Sequence, residues 1–286
     1  MKDLLTSFIS FAFALLITYF LSLQSNYGSI LYELVILIYL VHIISYIPSF
    51  LFKTEKFYDI TGTVAYLFGV YFIYNSLIDK DIKLTSIIVL LLVFTWALRL
   101  GLFLFYRVFK FKNDTRFDNV KKSASKFLMY FMVSSLWVFL TTINAFVYVL
   151  NNDSDFGFFF YIGSLIWFIG FFIEVISDLQ KFKFKLNDEN KNKFINSGFW
   201  SFSRHPNYFG EILLWIGIAV ISIPSLINLQ YISLISPIFV YFLLVKASGI
   251  PILEESANKK WGNDEDYINY KNETPILFPN FLNQKK

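Results

Sequence analysis

Long apolar runs, separated by short polar segments, dominate the hydropathy pattern of this 286-residue chain. A helix rises about 1.5 Å per residue, so crossing a hydrocarbon core of about 30 Å takes roughly 20 apolar residues. Because the runs are continuously apolar instead of alternating, they indicate helices and exclude an outer-membrane barrel. We therefore predict an all-α fold, a polytopic membrane helix bundle with eight spans near residues 4–23, 30–52, 60–78, 84–106, 127–150, 158–177, 208–227 and 231–250.

The distribution of basic residues predicts how these helices are oriented. Of the 25 lysine and arginine residues, only Lys80 and Lys83 fall in the loops on one side of the predicted membrane. Arg99 and Lys246 lie within predicted spans, and the others lie at the N-terminus or after spans two, four, six and eight. Positive charge is retained on the cytoplasmic side of membrane proteins. We expect both termini to be cytoplasmic, in a bacterial inner membrane or an endoplasmic reticulum.

Composition narrows the classes of function. The chain is 56% hydrophobic and 16% charged, which is too apolar for an ordinary soluble domain. It has no cysteine and two histidines, which rules out disulfides, thiolate chemistry and three-histidine centres, so we expect no bound metal. A net charge of +4, without an exposed basic and aromatic surface, argues against a nucleic-acid partner. The lipid bilayer is the expected environment.

No linker or internal repeat interrupts the pattern, so residues 1–286 are interpreted as one membrane domain. Residues 1–52 would form two N-terminal helices, residues 53–250 the core helices, and residues 251–286 a polar C-terminal tail. These features leave the oligomeric state open.

Ionisable side chains inside the predicted spans point to function. Each costs about 2.5–3.5 kcal/mol on insertion scales, so each needs a partner, a polar cavity or a place near the interface. Taken singly, Lys246 could extend its ammonium group to the membrane interface, and Asp178 could be an ordinary helix-end residue. Polar groups at one depth on four helices, however, indicate a wet cavity open to the cytoplasm. The residues concerned are Arg99, Glu174, Asp178, Glu211 and Lys246.

The segment from Asn196 to Ala219 carries the clearest site pattern. Pro206 suits the first turn of a helix, since it lacks the amide hydrogen that this position leaves unpaired. Arg204 and His205 therefore precede a helix N-terminus, where free amides and the helix dipole attract anions. We expect a phosphate-bearing or carboxylate-bearing cofactor at this point. Three residues of the same helix would contact its ribose or nicotinamide: Asn207, Tyr208 and Glu211.

Several stretches of the chain resemble the DUF1295 family, which is similar to the C-terminal domain of steroid 5-alpha-reductases. The most specific are SRHPNYFGE, the preceding FIEVISDLQKFKFK and the tail that begins KASGIPILEES. EKFYDITG, WALRLGLFLFYR and DTRFD extend the resemblance, which runs from about Glu55 to Pro279. Sterol reductases and isoprenylcysteine carboxyl methyltransferases share a version of the RHPxYxG loop and of the acidic tail. The resemblance implies a multi-helix membrane enzyme with a cofactor at its cytoplasmic side.

In the reductases that cofactor is NADPH, and a lipid-soluble enone, steroid-like or isoprenoid-like, enters from the membrane. The resemblance implies that span six, the loop and span seven surround the cofactor with Glu174, Asp178, Arg204, His205, Asn207, Tyr208 and Glu211. The tail would close over it with Glu254, Glu255, Tyr267 and Tyr270. The arginines available for its phosphates are Arg99, Arg107 and Arg116.

Reduction of an enone also needs a donor that polarises the carbonyl while negative charge develops on its oxygen. Tyr58, with Asp59 as its orienting partner, is the local candidate at the membrane entry of span three. Steroid 5-alpha-reductases place an acidic residue just before the IPSF run, where this chain has Ser45 and Tyr46. This departure argues against a steroid substrate and makes Tyr46 a second candidate donor.

Three functions remain open at this point. The first is an NADPH-dependent oxidoreductase that acts on a carbon–carbon double bond of a lipid-soluble substrate. The second is an S-adenosylmethionine-dependent methyltransferase, because that family shares the loop, and the third is a non-catalytic lipid-binding protein. The segment from Arg107 to Lys126 has seven basic and two acidic residues, which suits a cofactor with three phosphates. Charge sorting across the membrane alone also predicts a basic loop there.

Overall fold

The computed structural model describes residues 1–23, 27–111, 117–152 and 155–280. Within these ranges the chain is helical and has no strands, so the prediction of an all-α membrane helix bundle is confirmed. The α-helices are α1 Lys2–Ser22, α2 Gly28–Leu51, α3 Lys56–Asn75, α4 Leu84–Phe111, α5 Ala124–Asn151, α6 Phe158–Leu186, α7 Pro206–Ser222, α8 Ile235–Phe242, α9 Ile250–Trp261 and α10 Glu265–Glu273.

Every predicted span falls on helix, and in the described ranges seven helical segments are long and apolar enough to cross a membrane. α3 is not among the seven, because Tyr, Thr and Gly take many of the positions that Leu and Ile hold elsewhere. The last span is composite, with a 3₁₀ segment Asn228–Leu234, then α8, then a π-helical segment Leu243–Ala247. The count of eight spans and the cytoplasmic termini stay predictions.

The chain divides into two compact units, and the first comprises Met1–Phe160 and Ser222–Ser236. α5 is its central helix, since it packs against α1, α2, α3 and α4 and is buried continuously from Val138 to Leu150. A helix buried on all sides can present polar groups only to partners that satisfy them. The expectation of one domain over the whole chain stays a prediction.

α5 uses its buried polar side chains to hold the irregular segment 222–236. Asn144 Nδ2 donates to Ser233 Oγ at 3.0 Å, and Ser222 Oγ donates to Asn144 Oδ1 at 3.1 Å. Two turns further along α5, the side-chain amides of Asn151 and Gln230 exchange hydrogen bonds of 2.8 and 3.0 Å. These bonds satisfy polar groups that a membrane interior would otherwise leave without partners.

The second unit comprises Tyr161–Ile221 and Pro237–Lys286, and its centre is the antiparallel pair α6 and α7. The backbones of the two helices touch at glycines. A Cβ atom on Gly210 would lie 2.6 Å from the Gly170 carbonyl oxygen, and one on Gly217 would lie 2.6 Å from the Gly163 carbonyl oxygen. The two glycines of each helix are seven residues apart and therefore share a face. We call these four residues the glycine seam.

The C-terminal tail runs beside the loop that precedes α7. The Arg204 amide donates to the Pro275 carbonyl at 2.9 Å, and the Asn280 amide donates to the Phe202 carbonyl at 3.0 Å. The buried Ser203 hydroxyl donates to the Leu277 carbonyl at 2.8 Å. The tail is thus fastened to the same loop residues that introduce α7.

Gly210→Ala should lower the melting temperature of the detergent-purified protein, because the added methyl group meets backbone atoms that cannot rotate away. Overpacking of this kind costs about 1–3 kcal/mol. The matched control is Gly62→Ala on α3, where a Cβ atom meets nothing within 4 Å. Equal melting temperatures for Gly210→Ala and the wild type would contradict the glycine seam.

Candidate functional site

The loop before α7 turns at Gly198, whose backbone adopts the left-handed conformation with φ of 64°. A Cβ atom there would clash with the Gln180 side chain, whose Oε1 accepts a hydrogen bond from the Phe199 amide at 3.0 Å. Trp200 Nε1 donates to the Ser177 carbonyl on α6 at 3.0 Å. The loop is therefore held against α6 before it delivers Arg204 and His205 to the first residue of α7.

Arg204 and His205 bind one carboxylate, that of Glu254 on α9. Arg204 Nη1 donates to Glu254 Oε2 at 2.6 Å, and His205 Nε2 lies 2.8 Å from Glu254 Oε1. The three side chains are 12%, 5% and 18% exposed, respectively, so solvent screens the pair only weakly. A carboxylate can only accept, so Nε2 carries the proton of the neutral imidazole and donates it.

Two nitrogens of this group keep unused hydrogen-bonding capacity. In the part of the chain that the structure describes, His205 Nδ1 and Arg204 Nε are buried and have no hydrogen-bond partner. With the proton on Nε2, Nδ1 is an acceptor, whereas Arg204 Nε is a donor. A sugar hydroxyl, which both donates and accepts, matches this combination, and a phosphate oxygen matches the guanidinium. The arrangement is suited to a polar ligand at the start of α7.

Tyr208 packs against the imidazole of His205. The two rings are stacked, with centroids 5.7 Å apart and planes at 10°. A Cβ atom on Gly249 would lie 2.9 Å from Tyr208 Cε2, so the chain passes close to the ring on its way into α9. The ring of Tyr208 is thereby fixed between the α7 N-terminus and the start of the tail.

Three carboxyl groups are buried beside this loop. Glu174, Asp178 and Glu211 are 2%, 9% and 7% exposed. Asn207 Nδ2 donates to Asp178 Oδ1 at 3.1 Å, which joins α7 to α6 directly. A Cβ atom on Gly210 would lie 2.6 Å from the Glu174 amide, so the glycine seam brings this part of α6 onto the start of α7. Asp178 and Asn207 are therefore in direct contact within the second unit, and the grouping of these residues around a cofactor stays a prediction.

The tail tyrosines reinforce the loop from the side of α10. Tyr270 donates its hydroxyl to the Trp200 carbonyl at 2.6 Å, and Tyr267 is 4% exposed. Burial raises the pKa of both phenols, most strongly that of Tyr270. Glu255 lies elsewhere, because it is exposed and pairs with Lys259 one turn along α9. The structure therefore brings Glu254 to the site residues and directs Glu255 away from them.

The candidate donors belong to the first unit, where they share one aromatic cluster. The rings of Tyr46 and Tyr58 lie 5.9 and 5.3 Å from the ring of Phe131. Tyr46 donates its hydroxyl to the Ala124 carbonyl at 3.1 Å, and Tyr58 donates to the Tyr130 carbonyl at 3.3 Å. Their role as proton donors, with Asp59 as the orienting partner, stays a prediction.

The predicted phosphate-binding arginines also lie in the first unit or outside the described residues. Arg99 and Arg107 are half-buried side chains of α4. Arg116 lies outside the described residues. Among the residues that are described, no group of three His, Asp or Glu side chains could hold a metal ion.

Sequence reasoning missed the glycine seam and the anchoring role of Trp200. The seven-residue spacing of Gly163 with Gly170, and of Gly210 with Gly217, is visible in the sequence. It indicates a small-residue face on each helix, of the kind that lets membrane helices approach closely. Nothing in the spacing says which helix packs against it, so the contact itself had to come from the structure.

A family model matches most of the chain. The family model of DUF1295, described as a protein of unknown function, matches residues 45–274. The chain belongs to the DUF1295 family. The matched range contains every candidate residue from Tyr46 to Tyr270, in both units. No curated protein and no solved structure shows significant similarity to this DUF1295 protein.

Low pH should destabilise this DUF1295 protein through His205. Burial lowers the pKa of His205 below its ordinary value of 6.5. Between the folded-state and unfolded-state pKa values the unfolded chain binds more protons, so stability falls as pH drops below about 6.5. His205→Gln keeps a donor for Glu254 but cannot titrate. Melting temperatures measured from pH 8 to pH 5.5 should fall less steeply in the variant, and parallel curves would contradict the assignment.

Proposed function

We propose that this DUF1295 protein is an integral membrane, NADPH-dependent reductase of a carbon–carbon double bond in a lipid-soluble enone. The observation that supports this most is the grouping at the start of α7. There Arg204 and His205 keep a free donor and a free acceptor beside the buried carboxyl groups of Glu174, Asp178 and Glu211. Buried polar groups of this kind in a membrane protein mark ligand sites.

The donor and acceptor set fits the groups of a dinucleotide. Arg204, at a helix N-terminus, is suited to a phosphate through charge-assisted hydrogen bonds. The His205 Nδ1 acceptor and the acid side chains are suited to ribose hydroxyls, and the Asn207 amide is suited to the nicotinamide carboxamide. Tyr208 is held in place by its stack on His205, and its hydroxyl is suited to a ribose. These residues would hold NADPH within the second unit.

NADPH, when bound, would supply a hydride to the β-carbon of the conjugated alkene. The protein would contribute position and surroundings. Its buried carboxyl groups would orient the sugar, and the hydrogen bonds between residues 275–280 and 202–204 hold the tail against the loop. Tyr58 and Tyr46 remain the predicted donors to the carbonyl oxygen.

A second candidate, an S-adenosylmethionine-dependent methyltransferase, is favoured by one observation. The charge of Arg204 is already paired with Glu254, and the neighbouring Glu174, Asp178 and Glu211 are buried carboxyl groups. Acidic groups suit the sulfonium and ammonium charges of S-adenosylmethionine better than they suit three phosphates. Both cofactors are therefore compared in the same thermal stabilisation experiment.

Thermal stabilisation distinguishes the two cofactors, because a ligand that binds only the folded protein raises its melting temperature. We expect NADPH to stabilise the detergent-purified protein, by about 2.7 kcal/mol at a hundred times its dissociation constant. Arg204→Ala and Glu211→Ala should abolish this shift. Lys193→Ala, which removes an exposed cation from the loop after α6, should retain it and serves as the control.

Each alternative result has a defined meaning. Stabilisation by S-adenosylmethionine and not by NADPH would replace the reductase with the methyltransferase. An NADPH shift that is unchanged in both Arg204→Ala and Glu211→Ala would reject the proposed cofactor site. No shift with either compound would reject both functions.

A further inference from the structure

The carboxylate of Glu254 stands where an anionic ligand of the α7 N-terminus would bind. Both of its oxygens are engaged, one by Arg204 Nη1 at 2.6 Å and the other by His205 Nε2 at 2.8 Å. A phosphate would seek the same guanidinium and the same helix N-terminus. Two anions bound to one guanidinium repel each other, so a bound phosphate and the Glu254 carboxylate compete for Arg204.

α9 carries Glu254 and is joined to α8 by an irregular connection. The π-helical segment Leu243–Ala247 ends in a bond from the Ser248 amide to the Leu243 carbonyl at 2.9 Å. Gly249 follows with φ of −89° and ψ of −94°, outside the helical region. A Cβ atom on Gly249 would clash with the Leu244 carbonyl oxygen. The α-helical hydrogen-bond ladder is broken here, so α9 is not held in place by continuation of α8.

Packing holds α9 only weakly. Within the described chain, Ile250 is the one buried residue of this twelve-residue helix. Glu255 and Lys259 pair within the helix itself. At the far end, Trp261 Nε1 donates to the Asn192 carbonyl at 2.7 Å, Lys271 Nζ donates to Asn258 Oδ1 at 2.7 Å, and both bonds are exposed. The ring of Trp261 also lies 6.1 Å from that of Phe194. A segment with few buried apolar contacts opens at low cost in free energy, and the part-buried carboxylate of Glu254 is the main attachment of α9 to the loop before α7.

We propose that Glu254 is a latch that holds α9 closed over Arg204 and His205 until a phosphate-bearing ligand displaces its carboxylate. α9 then moves about the connection 243–249, which we call the α9 joint. The proposal rests on the proposed function only in that the ligand would be the phosphate of the cofactor. It makes Glu254 a competitor of that phosphate and not one of its contacts.

The latch predicts that pyrophosphate binds to the loop before α7 and at the same time makes α9 less ordered. Inorganic pyrophosphate is the probe, used with the full-length protein in detergent. In the wild type, pyrophosphate should increase amide hydrogen exchange across residues 250–261, because the displaced helix loses its main attachment to the loop before α7. Glu254→Gln should show this faster exchange without pyrophosphate and should bind pyrophosphate about tenfold more tightly, as expected when a competing charge is removed.

The control is Glu265→Gln, which removes one exposed carboxylate from the first turn of α10. It should match the wild type in pyrophosphate affinity and in exchange across residues 250–261. Glu255→Gln is less suitable, since the loss of its pair with Lys259 would itself loosen α9. The wild-type exchange measurement needs no variant, so a poorly folded Glu254→Gln protein would not prevent the test.

Three results would overturn the latch. They are protection or unchanged exchange of residues 250–261 by pyrophosphate, weaker pyrophosphate binding by Glu254→Gln, and no pyrophosphate binding by either protein. Failure of the proposed function would give a different set of results from failure of the latch. Pyrophosphate binding with opening of α9, but no stabilisation by NADPH, would keep the latch and reject the cofactor. Stabilisation by NADPH with α9 unchanged would keep the cofactor and reject the latch.

Discussion

The contact between the α6 and α7 backbones fixes the acidic side chains of the second unit. Where Gly170 faces Gly210, no side chain separates the helices, and the next turn of α6 therefore falls against the first turn of α7. Asp178 reaches Asn207 across this contact, at 3.1 Å. Side chains at a larger interhelical distance would need water or longer groups to meet. The close placement of the acidic side chains of α6 against α7 thus depends on four glycines that have no side chains of their own.

Buried carboxyl groups next to a membrane require compensation, and Asp178 receives a hydrogen bond from the Asn207 amide at the start of α7. The loop before α7 is bound to α6 through Trp200 and to the tail through Ser203, so the loop holds α6 and the tail together beside the start of α7. Tyr270 donates to the carbonyl of the same Trp200, which couples α10 to the loop. The C-terminal tail therefore has two roles here: it binds the loop before α7, and its helix α9 places the Glu254 carboxylate on Arg204.

The helical class and the polar residues at the α7 N-terminus could be predicted from sequence, because apolar runs and a proline after Arg204 and His205 act locally. The choice between Glu254 and Glu255 could not. They are neighbours, and which one faces the loop depends on the rotation of α9, which is set by the π-helical segment and Gly249 before it. A π-helical turn contains an extra residue compared with an α-helical turn. The face on which a later residue lies therefore cannot be predicted by counting 3.6 residues per turn along the sequence. The shared aromatic cluster of Tyr46 and Tyr58 likewise depends on tertiary packing.

The position of Glu254 also bears on which cofactor the site suits. With its carboxylate on Arg204, the site presents Glu174, Asp178 and Glu211 beside a guanidinium that is already paired, which would suit a cation such as S-adenosylmethionine. If α9 moves as proposed, Arg204 at the helix N-terminus loses its carboxylate partner and would suit the phosphate of a dinucleotide. Under the proposed latch, the two proposed functions would therefore correspond to two positions of α9, and the free energy required to open the α9 joint would favour one cofactor over the other.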